Sequence, residues 1–325
     1  MEIGKQATNV CKGMAVVMLL VHHLWYNEVP GSMPFGIIGI AMRCKICVAM
    51  FIFLSGFGLA RTDCSYKSII KKRLPRLLSA YWLVAAVFIP IGIALYGMTF
   101  KAAYPSGNVM LVILQVLGLN VIEPLGGFNP TWWYMDVIVP IYLLSPVIIS
   151  VVERLGIMAV VVFGMFFDCG LVFVPWIAPF AFGIYLSRER MLEKFCVHLG
   201  EQGMAAVPLL TFMAFCCRGG VASAELSDMF VAALFLLSSA LLVDKFGKWL
   251  WPLKFIGRHS LNIFLLHTFL LVWFKQELKS FSPIAALLLL TIGSLIFSVA
   301  MEIVKSIAGS VTGEVYGIFR RVRDK

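Results

Sequence analysis

Runs of about twenty apolar residues recur along the chain, and a run of that length limits the folds open to it. About twenty helical residues cross the ~30 Å hydrocarbon core of a bilayer. Inside that core each backbone N–H and C=O must be paired within the protein, which leaves only helices and closed barrels. A lipid-spanning strand alternates apolar and polar positions, and these runs do not alternate. Of the 325 residues 61% are hydrophobic and 14% charged, where a soluble domain carries about 25% charged residues. The expected fold is all-α: a polytopic transmembrane helical bundle of about ten spans. Residues 1–325 are expected to form one integral-membrane domain with no separate soluble domain.

The ten spans are expected near 10–27, 36–60, 77–97, 132–152, 156–174, 175–187, 202–217, 228–243, 259–274 and 282–304. The apolar segment 108–121 is too short to span, and is expected to lie at the interface or to re-enter. Charge supports this threading. With the N-terminus inside, 21 of the 27 Lys and Arg residues fall in inner segments and 4 in outer loops, as positive-inside bias requires. Both termini are therefore expected in the cytoplasm. The same sorting accounts for the net charge of +10 without nucleic acid. Large residues (His22, His23 and Trp25) follow the first apolar run where a cleavage site would need small ones, so it reads as a retained helix.

The polar residues inside these runs carry the functional information, because such residues are costly in a membrane. In the first run Lys12 and His23 are eleven apart. At about 100° per residue they share a helix face, some 16 Å apart along the axis, whereas His22 lies on another face. Arg43 and Lys45 interrupt the second run. Either 33–44 is an outer piece whose charges snorkel to headgroups, or the two face a polar cavity. Lys71-Lys72-Arg73-Leu74-Pro75-Arg76 opens the third span, with Pro75 suited to a first turn. Arg73 and Arg76 are helix neighbours and read either as an anchor for anionic lipid or as a phosphate clamp.

Trp132 and Trp133 stand at the expected outer edge of the fourth span, where aromatic belts occur. Asp136 follows one turn inside, as a site residue or a structural hydrogen-bond partner. Asp168 is expected deep in the fifth span, orienting a histidine or capping a polar contact. The ninth span begins at Phe255 and reaches His267, with Ser260 and His267 on one face and Arg258 and Asn262 on another. Glu302 and Lys305 read as a local ion pair, and Arg320, Arg321 and Arg323 as an inner-leaflet anchor. Cys44 and Cys47 form a lone CxxC among eight scattered cysteines. They read as small apolar side chains in packed helices, with no metal site.

Taken in order, these pieces resemble the acyltransferase 3 family, membrane-embedded enzymes that O-acylate carbohydrates from acyl-CoA. The resemblance rests on Lys12 with His23, on Phe51-Ile-Phe-Leu-Ser-Gly-Phe-Gly58, on Arg73, Arg76 and Tyr81, and on the stretch from Gly257 to His267. Thr131-Trp-Trp-Tyr-Met135 and Tyr142-Leu-Leu-Ser-Pro146 resemble the family's fourth span. Two positions depart from the pattern. Lys12 stands where arginine is common, and Val139 where many relatives carry an acid.

The resemblance implies acetyl-CoA or another acyl-CoA as a cytoplasmic donor and no permanently bound cofactor. It implies catalytic roles for His23 and Lys12, cofactor contacts from Arg73 and Arg76, and acceptor contacts from Trp132, Trp133, Asp136 and His267. The acceptor would be an envelope carbohydrate and the location a bacterial inner membrane, with glycan-assembly proteins as possible partners. The competing class is a transporter or flippase for a lipid-linked glycan. It would carry an internal repeat with broken helices, and no repeat is evident.

Overall fold

The protein is described by a computed structural model covering residues 3–28, 35–121, 127–165, 170–218 and 224–323. It is 86% helical, with no strand among the described residues. Seven helices there are long and apolar enough to cross a membrane, and a bent helix pair passes the same test together, as a broken span or a re-entrant loop. The chain is thus a helical membrane bundle.

Helix α1 (Lys5–His22) is continuous from Lys12 to His22 and then widens into a π-helical turn, His23–Glu28. Such widened turns often mark functional positions. The second run is divided into α2 (Phe35–Arg43), a 3-10 turn (Cys44–Ile46) and α3 (Cys47–Leu59). The snorkelling expected of Arg43 is corrected here. Its Nε donates to Cys216 O at 2.8 Å and its Nη1 to Gly39 O at 2.9 Å. Arg218, itself paired with Asp228 at 2.5 Å, donates to Arg43 O at 3.1 Å. Protein carbonyls and a carboxylate thus replace the headgroups.

Helix α4 (Leu74–Tyr96) carries Pro75 in its first turn. Early in α4, Tyr81 Oη donates to Gln115 O at 3.2 Å and Trp82 Nε1 to Val116 O at 2.8 Å. Those carbonyls belong to the C-terminal turns of α5 (Val109–Leu117), which ends at Gly118 in the left-handed region, φ 67°. The segment therefore packs back along the start of α4, with Gln115 buried and the rest of α5 exposed or half-buried. Its exit leads to Asn129, whose side chain caps the turn Pro130–Trp132 before α6 (Trp133–Leu155).

The fifth and sixth expected spans correspond to α7 (Met158–Met165) and α8 (Ile177–Arg188), both shorter than a bilayer crossing. Helix α8 has most of its residues buried and lies against α3 at backbone distance. A Cβ added to Gly56 would collide with Phe180 O, and one added to Gly183 with Phe53 O. Small residues permit such approach between membrane helices. Asp168 lies outside the described residues.

Helices α9 (Met191–Cys217) and α10 (Ala224–Phe246) follow. The ninth span is broken: α11 (Trp251–Arg258) and α12 (Ser260–Trp273) meet at 80°. This overturns the shared face expected for Arg258 and Asn262. Asn262 turns to the last helix, α13 (Pro283–Arg323), where its Nδ2 donates to Glu302 Oε1 at 2.9 Å. Glu302 is therefore engaged by Asn262, and no ion pair joins it to Lys305 among the described residues.

A second glycine contact sets α11 against α1. Cβ atoms at Gly13 and Gly257 would strike Leu253 O and Asn9 O. Arg61, after α3, ties this end together by bonding Ile3 O, Ser187 Oγ and Glu193. The start of α1, the end of α3, the end of α8 and α11 thus gather at one basic end of the bundle, as the charge sorting requires.

Gly56→Val tests the glycine seam. The added carbons have no space against the Phe180 carbonyl, so the cost is expected at the upper end of the ~1–3 kcal/mol typical of overpacking. Thermal unfolding of detergent-solubilised protein should show a clear drop in Tm, whereas Gly58→Ala, with nothing within 4 Å of its Cβ position, should not.

Candidate functional site

A cavity of about 720 Å³ opens among α1, α3, α4, α6, α11 and α12 at the basic end. Helical periodicity explains its walls. Lys5, Asn9 and Lys12 form one stripe of α1, and Tyr134, Ile138 and Tyr142 one stripe of α6, each at spacings of three or four residues. The contact of Gly257 with the α1 backbone brings Arg258 to the same wall.

Six cations line this cavity: Lys5, Lys12, Lys72, Arg73, Arg76 and Arg258. None of them forms an ion pair among the described residues. Arg73 donates to the Thr62 hydroxyl, a neutral partner. One acid, Asp63, shares the lining. A backbone hydrogen bond from Ser65 N at 2.9 Å holds its carboxyl below the usual range. Like charges so gathered repel one another, and a multiply charged anion relieves that repulsion. Guanidinium groups suit phosphate through paired N–H donors.

The far end of the cavity is aromatic. Phe51 meets Phe264 edge-on at 6.0 Å between centroids, and Tyr134 tilts against Phe264 at 4.7 Å. Beyond Phe264 stands His267 at 6.2 Å, and beyond that His23, 5.0 Å from His267. His22 faces elsewhere, with its Nδ1 2.9 Å from Ala41 O. The His22 ring still meets that of His23 edge-on, 5.2 Å between centroids, but only His23 packs against His267.

His267 is fully buried. Its Nδ1 lies 3.0 Å from Ile263 O and 2.9 Å from Phe264 O. Both are acceptors, so Nδ1 carries the proton and Nε2 accepts. The Thr268 hydroxyl is 3.3 Å from Nε2 and 3.2 Å from the Thr131 hydroxyl. Thr131 in turn lies 2.7 Å from Asn129 Oδ1. Asn129 Nδ2 and Trp132 Nε1 both donate to Leu265 O, at 3.2 and 3.0 Å. A buried polar chain thus runs from the entry of α6 to the histidine pair on α1 and α12.

Of the residues singled out in the sequence, Lys12, Arg73 and Arg76 meet in the cavity, and His23 meets His267. Lys12 and His23 remain at opposite ends of the site. Trp132 requires correction. It lies at the level of His267 instead of an outer rim, 2% exposed, packed edge-on against Tyr81 at 4.8 Å and Phe269 at 5.6 Å. The segment between α4 and α6 places the start of α6 within the bundle, so neither ring face is open to a sugar. Trp133 is half-buried, 6.1 Å from Trp176. Asp136 is fully buried; its Oδ1 accepts from Asn120 N at 3.0 Å, and its Oδ2 has no hydrogen-bond partner among the described residues.

Asn129, Thr131, Thr268 and Phe264 were not singled out in the sequence. Thr268 adjoins His267, and Phe264 precedes it by three residues, a helix-neighbour spacing. Thr131 opens the Thr131–Met135 motif, but its link to Thr268, like that of Asn129 to Leu265, crosses to another helix and leaves no trace in the spacing.

The chain matches a family model described as an acyltransferase domain over residues 6–303. No curated protein and no solved structure gives a match to it.

The polar chain predicts a split between two substitutions. Thr268→Val keeps the shape but removes the one hydroxyl proton shared between Thr131 and His267 Nε2, whose other donor would have to come from elsewhere, at a cost of about 1–3 kcal/mol. Thr268→Ser keeps the bridge. Thermal melts in detergent should place the Ser variant near wild type and the Val variant well below it.

Proposed function

The chain belongs to the acyltransferase 3 family, and from that premise we propose that it moves an acyl group, in the simplest case acetyl, from cytoplasmic acyl-CoA to a hydroxyl of a cell-envelope carbohydrate. The observation that supports this reading above the rest is the cavity, with six cations at one end that form no ion pair among the described residues and, past its aromatic end, two histidines. CoA carries its phosphates at one end and its thioester at the other, joined by a long neutral arm. That asymmetry matches a site that is cationic at its mouth and apolar toward the middle of the bundle.

In this reading Arg73 and Arg76 hold the phosphates, with Lys12 adding charge from α1. Lysine at that position supplies a point charge without the guanidinium fork. His23 takes the proton from the acceptor hydroxyl. The oxygen bonds to the thioester carbon, the C–S bond breaks, and the departing thiolate receives the proton from His23. A route in which His23 first carries the acyl group uses the same geometry. His267 orients His23, with its own tautomer held by the Ile263 and Phe264 carbonyls. Trp133 and Asp136 are the remaining candidates for contacts to the carbohydrate. The membrane is then a bacterial plasma membrane, and the acceptor a capsular, exo- or lipopolysaccharide or peptidoglycan, with glycan-assembly proteins as partners.

The flippase reading draws on one observation, the 80° break between α11 and α12, since broken helices occur in transporters. That break sits at the cation-lined end of the cavity, and the aromatic rings close the other end. This geometry favours a donor pocket over a transport route.

Two variants test the enzyme reading. His23→Ala should lower acyl transfer from acetyl-CoA by at least about 10²-fold at unchanged abundance, measured as acetyl mass on the envelope glycans of expressing cells. Retained acylation would remove His23 from the chemistry. Arg73→Ala should weaken CoA binding by about tenfold or more, as expected for a lost charge-assisted contact, with a flatter salt dependence. Unchanged affinity would return Arg73 to a lipid-anchoring role.

A further inference from the structure

Phe264 has a place that no other residue of the site shares. It lines the cavity, and its ring is 6.2 Å from that of His267. His23 and His267 do not line the cavity, and the cationic residues are at the other end. Phe264 therefore joins the lining of the cavity to the histidine pair. Phe51 and Tyr134 hold it, at 6.0 and 4.7 Å between centroids. All three rings are buried, with exposures of 9%, 6% and 4% for Phe51, Tyr134 and Phe264. Phe264 and His267 are neighbours on one face of α12, three residues apart, so the ring cannot move far from the imidazole without the helix moving.

We propose that Phe264 is the residue that sets acyl-chain length: its ring, wedged by Phe51 and Tyr134, ends the apolar part of the donor cavity and admits only a short acyl group to the histidines. The inference rests on the donor reading above and adds to it a substrate class, C2 to C4 thioesters. In the transfer step the acyl carbon bonds to the acceptor oxygen and releases sulfur. The proton passes through His23, so the carbonyl must lie beside His23 while the rest of the acyl chain finds room elsewhere. Acetyl needs almost none. Each further methylene must displace an aromatic ring that is packed on both sides, and interiors packed at this density resist such insertion. The Phe264 carbonyl, which accepts from His267 Nδ1 at 2.9 Å, is backbone. Shortening the side chain therefore opens the cavity while leaving the tautomer of His267 in place.

The test measures affinities of the detergent-purified full chain for CoA, acetyl-CoA, butyryl-CoA and hexanoyl-CoA, each taken relative to CoA. Wild type should bind hexanoyl-CoA at least about tenfold more weakly than acetyl-CoA, the discrimination a pocket achieves by rejecting added methylenes. Phe264→Ala should erase or invert that ratio, and Phe264→Leu should move it part of the way. A gain of hexanoyl-CoA affinity cannot come from misfolding, and if the Ala variant loses CoA itself, the Leu variant decides. A wild type that binds all chain lengths alike overturns the proposal. So does a wild-type ratio that persists in both variants. Wild type that binds no CoA species removes the donor reading, and this inference with it. Wild type that binds CoA and acetyl-CoA but shows either failing pattern removes the inference alone.

Discussion

Backbone-to-backbone contact at four glycines underlies the arrangement of the site. Gly13 and Gly257 bring α1 and α11 together, and Gly56 and Gly183 do the same for α3 and α8. In lipid there is little hydrophobic drive for helices to associate, so close packing and polar contacts must supply it. A side chain at any of these positions would push the helices apart by its own thickness. Two walls of the cavity, carrying Lys12 and Arg258, are set by the first pair. The second pair fixes α3, and with it Phe51 and Ser55.

Charge divides the polar residues into two groups with different tasks. Arg61, Arg43 and Arg218 are bound to carboxylates and backbone carbonyls, and Arg61 also lies 4.3 Å over the Phe57 ring. These arginines join segments distant in sequence at the two ends of the bundle. The six cations of the cavity form no ion pair among the described residues, and Asp63 is the one acid beside them. Four of them, Lys5, Lys72, Arg76 and Arg258, are exposed to solvent, so water screens their mutual repulsion and leaves them free to meet an anion. The contrast between satisfied and unsatisfied cations separates scaffold from site more sharply than either depth or burial does.

The second device is the segment between α4 and α6, which packs back along the start of α4. It carries the start of α6 to the level of His267, where Asn129 and Thr131 join Thr268 in one polar chain. Trp132 thereby becomes an interior residue, its indole N–H used on Leu265 O. The kink at His259 works in the same direction. It frees α11 to lie against α1 while α12 rises into the bundle, so Arg258 and His267 serve opposite ends of one site.

Much of this was legible from residues alone. Apolar run length determined the membrane class, because only helices of that length satisfy backbone polar groups in lipid. Basic residues in alternate loops determined which segment ends lie together. Helical periodicity determined that Lys12 and His23 share a face, and motif order determined the family. What the residues alone could not convey were the contacts between segments remote in sequence. Arg43 with Cys216, Asn262 with Glu302 and Trp132 with Leu265 pair across separate helices, and one-dimensional spacing carries no record of such pairing. The pairing of His23 with His267, the gathering of six cations around one cavity and the place of Phe264 between them were decided by the tertiary structure. They depend on how close the backbones can approach at glycine and on where the segment between α4 and α6 turns, and both are properties of packing in three dimensions.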